Sequence, residues 1–308
     1  MMRAFYRPRT RLASHDLSQQ PPITLIAGPT ASGKSALALK MAHETGAVII
    51  TADSQQLYAD LRILTARPSA EDEAQADHRL YGVADAADAW SVGRWSRAVM
   101  ALLEDLRDQG RPAILVGGTG LYFTSLTRGL ADIPAVPSGV RDQMDAEFTA
   151  LGESGFRQRL GQIDPEAEHA IERGDRQRLV RAMSVFIASG RALSAWKADT
   201  QPLLAPGSWT GWVREPQRQQ LYANCDQRVD LMIDQGAINE VQALVDRGLN
   251  PALPAMKAVG VRELAAYLSD GLARDDAITA LKQATRNYAK RQLTWFRNQM
   301  SDWTPLTP

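Results

Sequence analysis

The sequence predicts an α/β protein in which a parallel sheet is flanked by helices and a small helical domain is inserted. Three observations predict this fold. Short β-branched runs alternate with helical patterns through residue 130, as parallel strands alternate with crossover helices. One strand runs directly into a glycine-bounded loop at residues 28–35. The β-branched runs then disappear between residues 131 and 197, where charged helical stretches follow Pro134 and Pro137.

These changes of character divide the chain. Residues 1–22 are an arginine-rich segment, for which a disordered basic tail is the simpler interpretation and an organelle transit peptide the alternative. Residues 23–130 form the first part of the core, residues 131–197 the helical insertion, and residues 198–308 a mostly helical second part that ends in a basic helix.

Composition excludes several classes of protein. The 308 residues, 44% of them hydrophobic, can bury one large core or a core with a smaller unit. The 35 basic and 35 acidic residues balance, so the total charge does not itself indicate a nucleic-acid binder. A single cysteine, Cys225, leaves no disulfide framework and no cysteine zinc cluster, which favours a reducing, cytoplasmic location. No apolar run approaches the length of a membrane span.

The glycine-bounded loop fits G-x-x-x-x-G-K-[ST], the P-loop that cradles phosphates, and the core is therefore expected to resemble that of P-loop NTPases. Its glycines let the backbone approach an anion, and the amides from about Ala31 to Ser35 face it at the start of the next helix. Lys34 adds a mobile charge, and Ser35 offers a hydroxyl to Mg²⁺. ATP, GTP and a diphosphate ester all remain open as ligands. The predicted phosphate-binding residues are Gly28, Pro29, Thr30, Ala31, Ser32, Gly33, Lys34 and Ser35.

Two further strands are predicted to end at the same edge of the sheet. The run 47–50 leads to Asp53, which could accept a proton, bind a metal-bound water or merely cap the next helix. The run 113–116 ends in Gly117-Gly118-Thr119, where many P-loop NTPases have a metal-binding acid. We expect the two glycines to bring the backbone close to a ligand and the Thr119 hydroxyl to enter the cleft, although a tight turn alone would also explain them.

Basic residues recur on two predicted helices. Arg178 and Arg181 share a face in the insertion, where solvated charge and contact with phosphate or base are the two interpretations. On the last helix Lys282, Arg286 and Lys290 recur every four residues, and no acid lies between residues 282 and 297. This pattern is typical of a surface that binds a phosphodiester backbone, with an ordinary solvated face as the alternative.

Taken together, the motifs resemble those of tRNA dimethylallyltransferases, the tRNA isopentenyltransferase (IPP transferase) family. The resemblance covers roughly residues 23–297 and preserves the order of five motifs. They are the P-loop at 28–35, Asp-Ser-Gln-Gln-Leu-Tyr at 53–58, Val-Gly-Gly-Thr-Gly-Leu-Tyr at 116–122, Asp-Arg-Gln-Arg-Leu-Val-Arg at 175–181 and Ala-Lys-Arg-Gln-Leu-Thr-Trp at 289–295.

The resemblance implies transfer of a dimethylallyl group from dimethylallyl diphosphate to the exocyclic amine of the adenosine 3′-adjacent to the anticodon, position 37, in tRNAs that read codons beginning with U. The P-loop would then hold a diphosphate leaving group with Mg²⁺, and the protein need not hydrolyse ATP. Catalytic roles are implied for Asp53 as general base, Thr119 and Lys34, and diphosphate binding for Arg228. The implied partners are the tRNA anticodon stem-loop and dimethylallyl diphosphate, and a monomer is expected. The residues implied in, or predicted for, tRNA binding are Asp53, Ser54, Gln55, Gln56, Thr119, Arg141, Gln177, Arg178, Leu179, Val180, Arg181, Lys282, Arg286 and Lys290.

The sequence departs from the family pattern at two places. The family commonly has a second arginine four residues before Arg228, where this chain has Asn224, so the diphosphate is expected to be bound more weakly or to be shared with another cation. The zinc-finger tail that eukaryotic members often carry is missing, which favours a bacterial-type enzyme. A small-molecule kinase, or a non-catalytic nucleotide-dependent RNA-binding protein, would share the P-loop and remain the alternatives.

Overall fold

The computed structural model describes residues 21–269 and 271–306. The predicted basic tail, residues 1–22, therefore lies outside the described residues except for its last two. Contacts divide the chain into two compact units, one made of the residues up to Gly120 together with those from Ala205 onward, the other of Leu121–Leu204.

The first unit is built on a six-stranded sheet in which every pair of neighbouring strands is parallel. The predicted parallel α/β core is confirmed. Along the sheet the order is β3-β2-β4-β1-β5-β6. The strands are β1 (Ile23–Ala27), β2 (Val48–Thr51), β3 (His78–Arg79), β4 (Ala113–Gly117), β5 (Trp209–Arg214) and β6 (Thr304–Leu306).

β2 and β4 are buried at every residue, and β1 is buried over its last three, as expected of strands covered on both faces. The helices of this unit pack around them. They are α1 (Lys34–Thr45), α2 (Ala70–Gln75), α3 (Val92–Asp108), α9 (Arg218–Asp234), α10 (Ala237–Asp246), α11 (Val261–Leu268) and α12 (Arg274–Gln299).

The second unit is helical, and it includes the insertion predicted over residues 131–197. Its core gathers buried side chains from two long helices, α5 and α7, around Phe156, Leu160 and Met183. Gly152, with φ 66°, makes a kink inside α5. The helices are α4 (Gly120–Thr127, which begins one residue before the unit), α5 (Ser138–Ile163), α6 (Pro165–Ala170), α7 (Arg176–Ser189) and α8 (Leu193–Ala198). Among the described residues, no helix is both long and apolar enough to cross a membrane.

Candidate active site

The candidate site lies at the carboxyl edge of the sheet, where ligands of open α/β sheets bind. Ala27, the last residue of β1, pairs with Gly117 of β4 on one side and with Val213 of β5 on the other. Thr51, at the end of β2, pairs with Val116. The loops that follow these strands therefore leave the sheet side by side.

The phosphate loop, residues 28–35, has the backbone of an anion-binding site. Ala31 and Gly33 both adopt left-handed conformations, with φ 60° and 79°, and the alanine accepts strain that glycine avoids. The main-chain N–H groups of Ala31, Ser32 and Gly33 donate to no other described residue. The buried Ser32 hydroxyl also has no partner within the described chain. These unpaired donors at the start of α1 suit a phosphate.

The side chain of Lys34 is buried against the phosphate loop. Its side chain is 9% exposed, and Nζ donates to the carbonyl oxygen of Pro29 at 3.1 Å. Burial lowers the pKa of Lys34 to about 8, against an opposing contribution from the carboxylate of Asp53. An anion in the loop would favour the charged form and raise this pKa again.

Two side chains hold the outer carbonyls of the phosphate loop. Arg214, at the end of β5, donates from Nε to the carbonyl oxygen of Ser32 at 3.1 Å. Asn224, on α9, donates from Nδ2 to the carbonyl oxygen of Ala31 at 3.2 Å. The loop is thus held from outside by groups that leave its amides free. Asn224 stabilises the loop itself, and Arg214 brings a cation to it.

Asp53 is half-buried in the loop that follows β2. Its Oδ1 accepts the main-chain N–H of Gln55 at 3.0 Å, which fixes the carboxylate by an Asx turn and not by a helix cap. Burial and the charge of Asp53 both raise the pKa of the phenols of Tyr81 and Tyr288. The carboxylate is therefore fixed in orientation, with protonated phenols near it.

Thr119 joins the β4 turn, residues 117–120, to the Asp53 loop. Its Oγ1 accepts the Ser54 N–H at 2.9 Å, and its own N–H donates to the carbonyl oxygen of Ala52 at 3.1 Å. The Thr119 hydroxyl therefore bonds to the loop that carries Asp53, and its predicted contact with a ligand in the cleft stays a prediction.

The glycines of the β4 turn allow close contact with other parts of the protein, and their predicted contact with a ligand stays a prediction. A Cβ on Gly117 would lie 2.1 Å from the Ala52 backbone, and one on Gly118 would lie 2.2 Å from Nε2 of Gln292. The glycines thus admit neighbouring protein atoms, whereas the sequence suggested close approach of a ligand.

Arg228 and Asp53 line one small cavity with Thr30 of the phosphate loop. Burial lowers the pKa of Arg228, while the charge of Asp53 opposes that shift. The guanidinium has one long hydrogen bond, to the carbonyl oxygen of Thr65 at 3.5 Å. The rest of the lining is half apolar, with Leu64, Met232, Val259 and Leu281, and half polar, with Gln55, Thr65, Thr285 and Tyr288. Charged and apolar side chains thus line the same cavity.

One wall of this cavity is held by a distant carboxylate. Glu240, in the first turn of α10, accepts the consecutive N–H groups of Arg62, Ile63 and Leu64, the last two at 2.8 Å. These bonds fix the main chain of residues 62–64, and so the position of Leu64 in the cavity wall.

The donors around Ser35 fit a magnesium ion that is held mainly by a phosphate ligand. Ser35 is exposed in the first turn of α1 and lines a second cavity that also contains Asp72. No group of three or more metal-binding side chains occurs among the described residues. A hard cation that keeps several waters and binds substrate phosphates needs no such group.

The comparisons with known proteins agree with this geometry. Residues 56–299 match the family model described as IPP transferase. A tRNA dimethylallyltransferase of Caulobacter sp. (strain K31) is 59% identical over 281 residues, which are 91% of each chain, and that of Phenylobacterium zucineum is 54% identical over 288 residues, covering 94% of this chain and 93% of the relative. The chain belongs to the IPP transferase family.

Solved structures extend the likeness to the fold. A full-length tRNA isopentenylpyrophosphate transferase from Bacillus halodurans is 31% identical, with a TM-score of 0.67 over 94% of this chain and 90% of that one. A eukaryotic dimethylallyltransferase acting on tRNA has a TM-score of 0.78 over 93% of this chain and 74% of that one, at 23% identity, which shows the fold alone.

The segments that the family resemblance assigns to tRNA binding have varied surroundings. Next to Asp53, Ser54 is tied to Thr119, and Gln56 donates to the carbonyl oxygens of Thr65 and Ala66 at 3.0 and 2.9 Å. The side-chain amide of Gln56 thus bonds to the main chain of the segment that follows it. Gln55, in contrast, lines the cavity with Asp53.

In the second unit, two of the residues assigned to tRNA binding are core residues. Leu179 and Val180 are 0% and 4% exposed, so their side chains face the interior. Gln177 and Arg178 are exposed, and Arg178 makes an ion pair with Asp175, the N-cap of α7. Burial, and then repulsion by Arg141, lowers the pKa of Arg181. Of the residues assigned to tRNA binding in this unit, Leu179 and Val180 thus have interior side chains, and the role of Gln177, Arg178, Arg181 and Arg141 stays a prediction.

The basic residues of α12 differ in their pairing. Lys282 and Arg286 make ion pairs with Asp230 and Asp226 of α9 and are only about a quarter exposed. Lys290 is exposed and has no ion-pair partner in the described part of the chain. The three do not form the uniform stripe that the sequence suggested, and their role in tRNA binding stays a prediction.

Some functional candidates were missed by sequence reasoning. A surface groove of about 480 Å³ is lined by three cations, Lys257, Arg262 and Arg291, which come from two segments of the chain. Gln292 and Arg214 were also missed. A glutamine among the apolar positions of α12, and a cation directly after a strand, were the available signals.

Proposed function

We propose that this protein transfers the dimethylallyl group of dimethylallyl diphosphate to N6 of adenosine 37, the nucleotide 3′ to the anticodon, in tRNAs that read codons beginning with U. The product is N6-isopentenyladenosine. One observation carries the proposal beyond family membership: the phosphate loop, through Thr30, shares a cavity with Asp53 and Arg228. The proposed diphosphate site and the proposed carboxylate base then line the same cavity.

The cavity suits the donor. The free amides of the loop, Lys34 and Arg228 match the charge of a diphosphate, and the apolar side chains of the cavity lining match a five-carbon chain. Ser35 would hold Mg²⁺, which supplies positive charge to the departing diphosphate when bound.

The chain's own residues account for the chemistry. The bond between the donor's C1 and its bridging oxygen breaks, and both electrons leave with the diphosphate, which the loop amides, Lys34 and Arg228 stabilise. N6 of adenine forms the new bond to C1 and gives one proton to the carboxylate of Asp53. The Asx turn orients Asp53, and Thr119 holds the loop that carries it. General-base catalysis of this kind contributes about 10²–10⁴-fold.

The target adenine must leave its stack to reach Asp53. The exposed cations on α12, the groove of Lys257, Arg262 and Arg291, and the arginines of the second unit are the candidates for holding the anticodon stem-loop. The relatives are described as acting on tRNA, and we expect this chain to do so as a monomer in the cytoplasm.

An assay with donor labelled in the dimethylallyl group and unmodified tRNA tests the proposal. We expect the label in tRNA, lost when adenosine 37 is replaced by guanosine. A second reaction contains [γ-³²P]ATP in place of the donor. Label from ATP in a small acceptor, with none transferred from the donor, would establish a kinase, and binding of tRNA without transfer would establish a non-catalytic protein.

A further inference from the structure

We propose that Gln292 is a positioning residue for the reaction above: its carboxamide ties the phosphate loop to the β4 turn and thereby sets the donor against the base. The inference rests on the proposed function for its kinetic consequence, but the tie itself can be measured independently.

The tie consists of two hydrogen bonds in opposite directions. Oε1 of Gln292 accepts the main-chain N–H of Thr30 at 2.9 Å, and Nε2 donates to the carbonyl oxygen of Gly118 at 2.9 Å. The side chain is 6% exposed. A buried carboxamide that satisfies both ends in this way is held in one orientation.

These bonds join two loops that the sheet no longer holds together. The register between β1 and β4 ends at Ala27 and Gly117. Beyond that pair the two loops continue away from the sheet, and Gln292 bonds to both of them. It approaches from α12, which is far from both loops in sequence.

The β4 turn is shaped for this contact. A Cβ on Gly118 would lie 2.2 Å from Nε2 of Gln292 and 3.3 Å from Oδ2 of Asp53, so the carboxamide is accommodated close to the proposed base. One turn further along α12, the ring of Trp295 would lie 2.1 Å from a Cβ on Gly120. The two α12 residues therefore pack against the glycines on either side of Thr119.

The tie relates the two halves of the reaction. Thr119 bonds the β4 turn to the Asp53 loop, so those two segments are held together, and the phosphate loop is a separate segment. Gln292 sets the distance between them. Its neighbours on the packed face of α12, Ala289 and Leu293, lie in an apolar cluster with Ala31 and offer no such bonds. Losing the tie should misplace C1 against N6, and a displacement of about 1 Å can cost about 10²-fold in rate.

The test compares Gln292→Met, which keeps the length and loses both bonds, with the matched change Gln242→Met on the surface of α10. Single-turnover rates are measured with both substrates saturating, and Kd is measured separately for inorganic diphosphate and for tRNA. For Gln292→Met we expect the rate to fall about 10- to 100-fold while both Kd values stay within about 3-fold. Gln242→Met should behave as the unmodified protein.

Hydrogen exchange measures the tie without the reaction. In Gln292→Met, peptides that contain residues 28–35 and 117–122 should exchange faster, while the strands before them do not. Gln292→Glu keeps an acceptor for Thr30 but sets a carboxylate against the Gly118 carbonyl, so only the β4 turn should exchange faster. Gln292→Glu also replaces Gln292→Met in these measurements if the methionine variant does not fold.

Unchanged exchange in both loops, or a rate loss matched by equal losses of diphosphate and tRNA affinity, would overturn the inference. If the unmodified protein transfers no dimethylallyl group but both loops are freed in the variant, the proposed function fails and the tie remains.

Discussion

The phosphate loop and the basic face of α12 are both positively charged, yet they are built differently. In the loop, the charge of Lys34 is buried and fixed by Pro29, and Arg214 and Asn224 hold the carbonyls outside it. On α12, the cations are long side chains nearer the surface. Lys282 and Arg286 make ion pairs with acids of α9, whereas Lys290 makes none within the described residues. Fixed charge suits a leaving group at one point, whereas mobile charge suits a backbone of many phosphates.

The largest effect is expected from a substitution of Asp53, the proposed base beside the fixed charge of the phosphate loop. Asp53→Asn keeps the size of the side chain but removes its ability to take a proton. We expect the turnover rate to fall about 10²–10⁴-fold with tRNA affinity nearly unchanged. Rates come from single-turnover transfer of labelled donor, and tRNA affinity from filter binding. Equal losses of both would make Asp53 a structural residue of its loop.

A substitution of Arg228 tests whether this cation in the cavity lining binds the diphosphate. Arg228→Gln should raise the donor KM about 10- to 100-fold, because a charge-assisted contact in a desolvated site is lost. The tRNA Kd should not change. Arg218→Gln, an exposed arginine at the start of the same helix, is the control. A donor KM that is unaffected would remove Arg228 from the site.

The buried charge of Lys34 predicts a pH dependence. Its pKa is lowered to about 8 in the free protein, and a bound diphosphate should raise that pKa by favouring the ammonium. Binding should therefore take up a proton above pH 8, and affinity should fall by up to about tenfold per pH unit there. Below pH 8, Lys34 is already charged and should add no slope.

Calorimetry with an unreactive analogue of dimethylallyl diphosphate, in buffers of different ionisation enthalpy, measures this proton uptake. Lys34→Arg, which stays charged throughout, should abolish it. Uptake that persists in that variant would assign the titration to another group.

The mobile charges should give the smallest and most graded effects. Lys290→Gln and Arg291→Gln should each lower the salt slope of tRNA binding by about 1. Lys282→Gln and Arg286→Gln should lower it less, because Asp230 and Asp226 already neutralise those cations. Equal reductions for Lys282, Arg286 and Lys290 would restore the uniform stripe that the sequence suggested.

The same contrast explains what the sequence could predict. The parallel strands, and the position of the loops after β1, β2 and β4 at one edge of the sheet, depend on local spacing and on the rule that parallel strands end at one edge, and this fold was predicted correctly. The roles of the phosphate loop, Asp53 and Thr119 stay predictions. The pairing of Lys282 and Arg286 depends on acids of α9 more than 50 residues away, which periodicity within α12 cannot show. Gln292 was hidden for the same reason, because both its partners lie more than 170 residues away. The interior positions of Leu179 and Val180 required the packing of α5 against α7.

The three amides that converge on Glu240 have a consequence for donor choice. They attach the segment that carries Leu64, one of the apolar residues lining the cavity of Asp53 and Arg228, to α10, while the phosphate loop follows strand β1 of the sheet. We therefore expect substitutions on α10 to change the volume of the apolar part of this cavity without moving the phosphate loop or Asp53. A search for variants that accept longer allylic donors should begin at that helix.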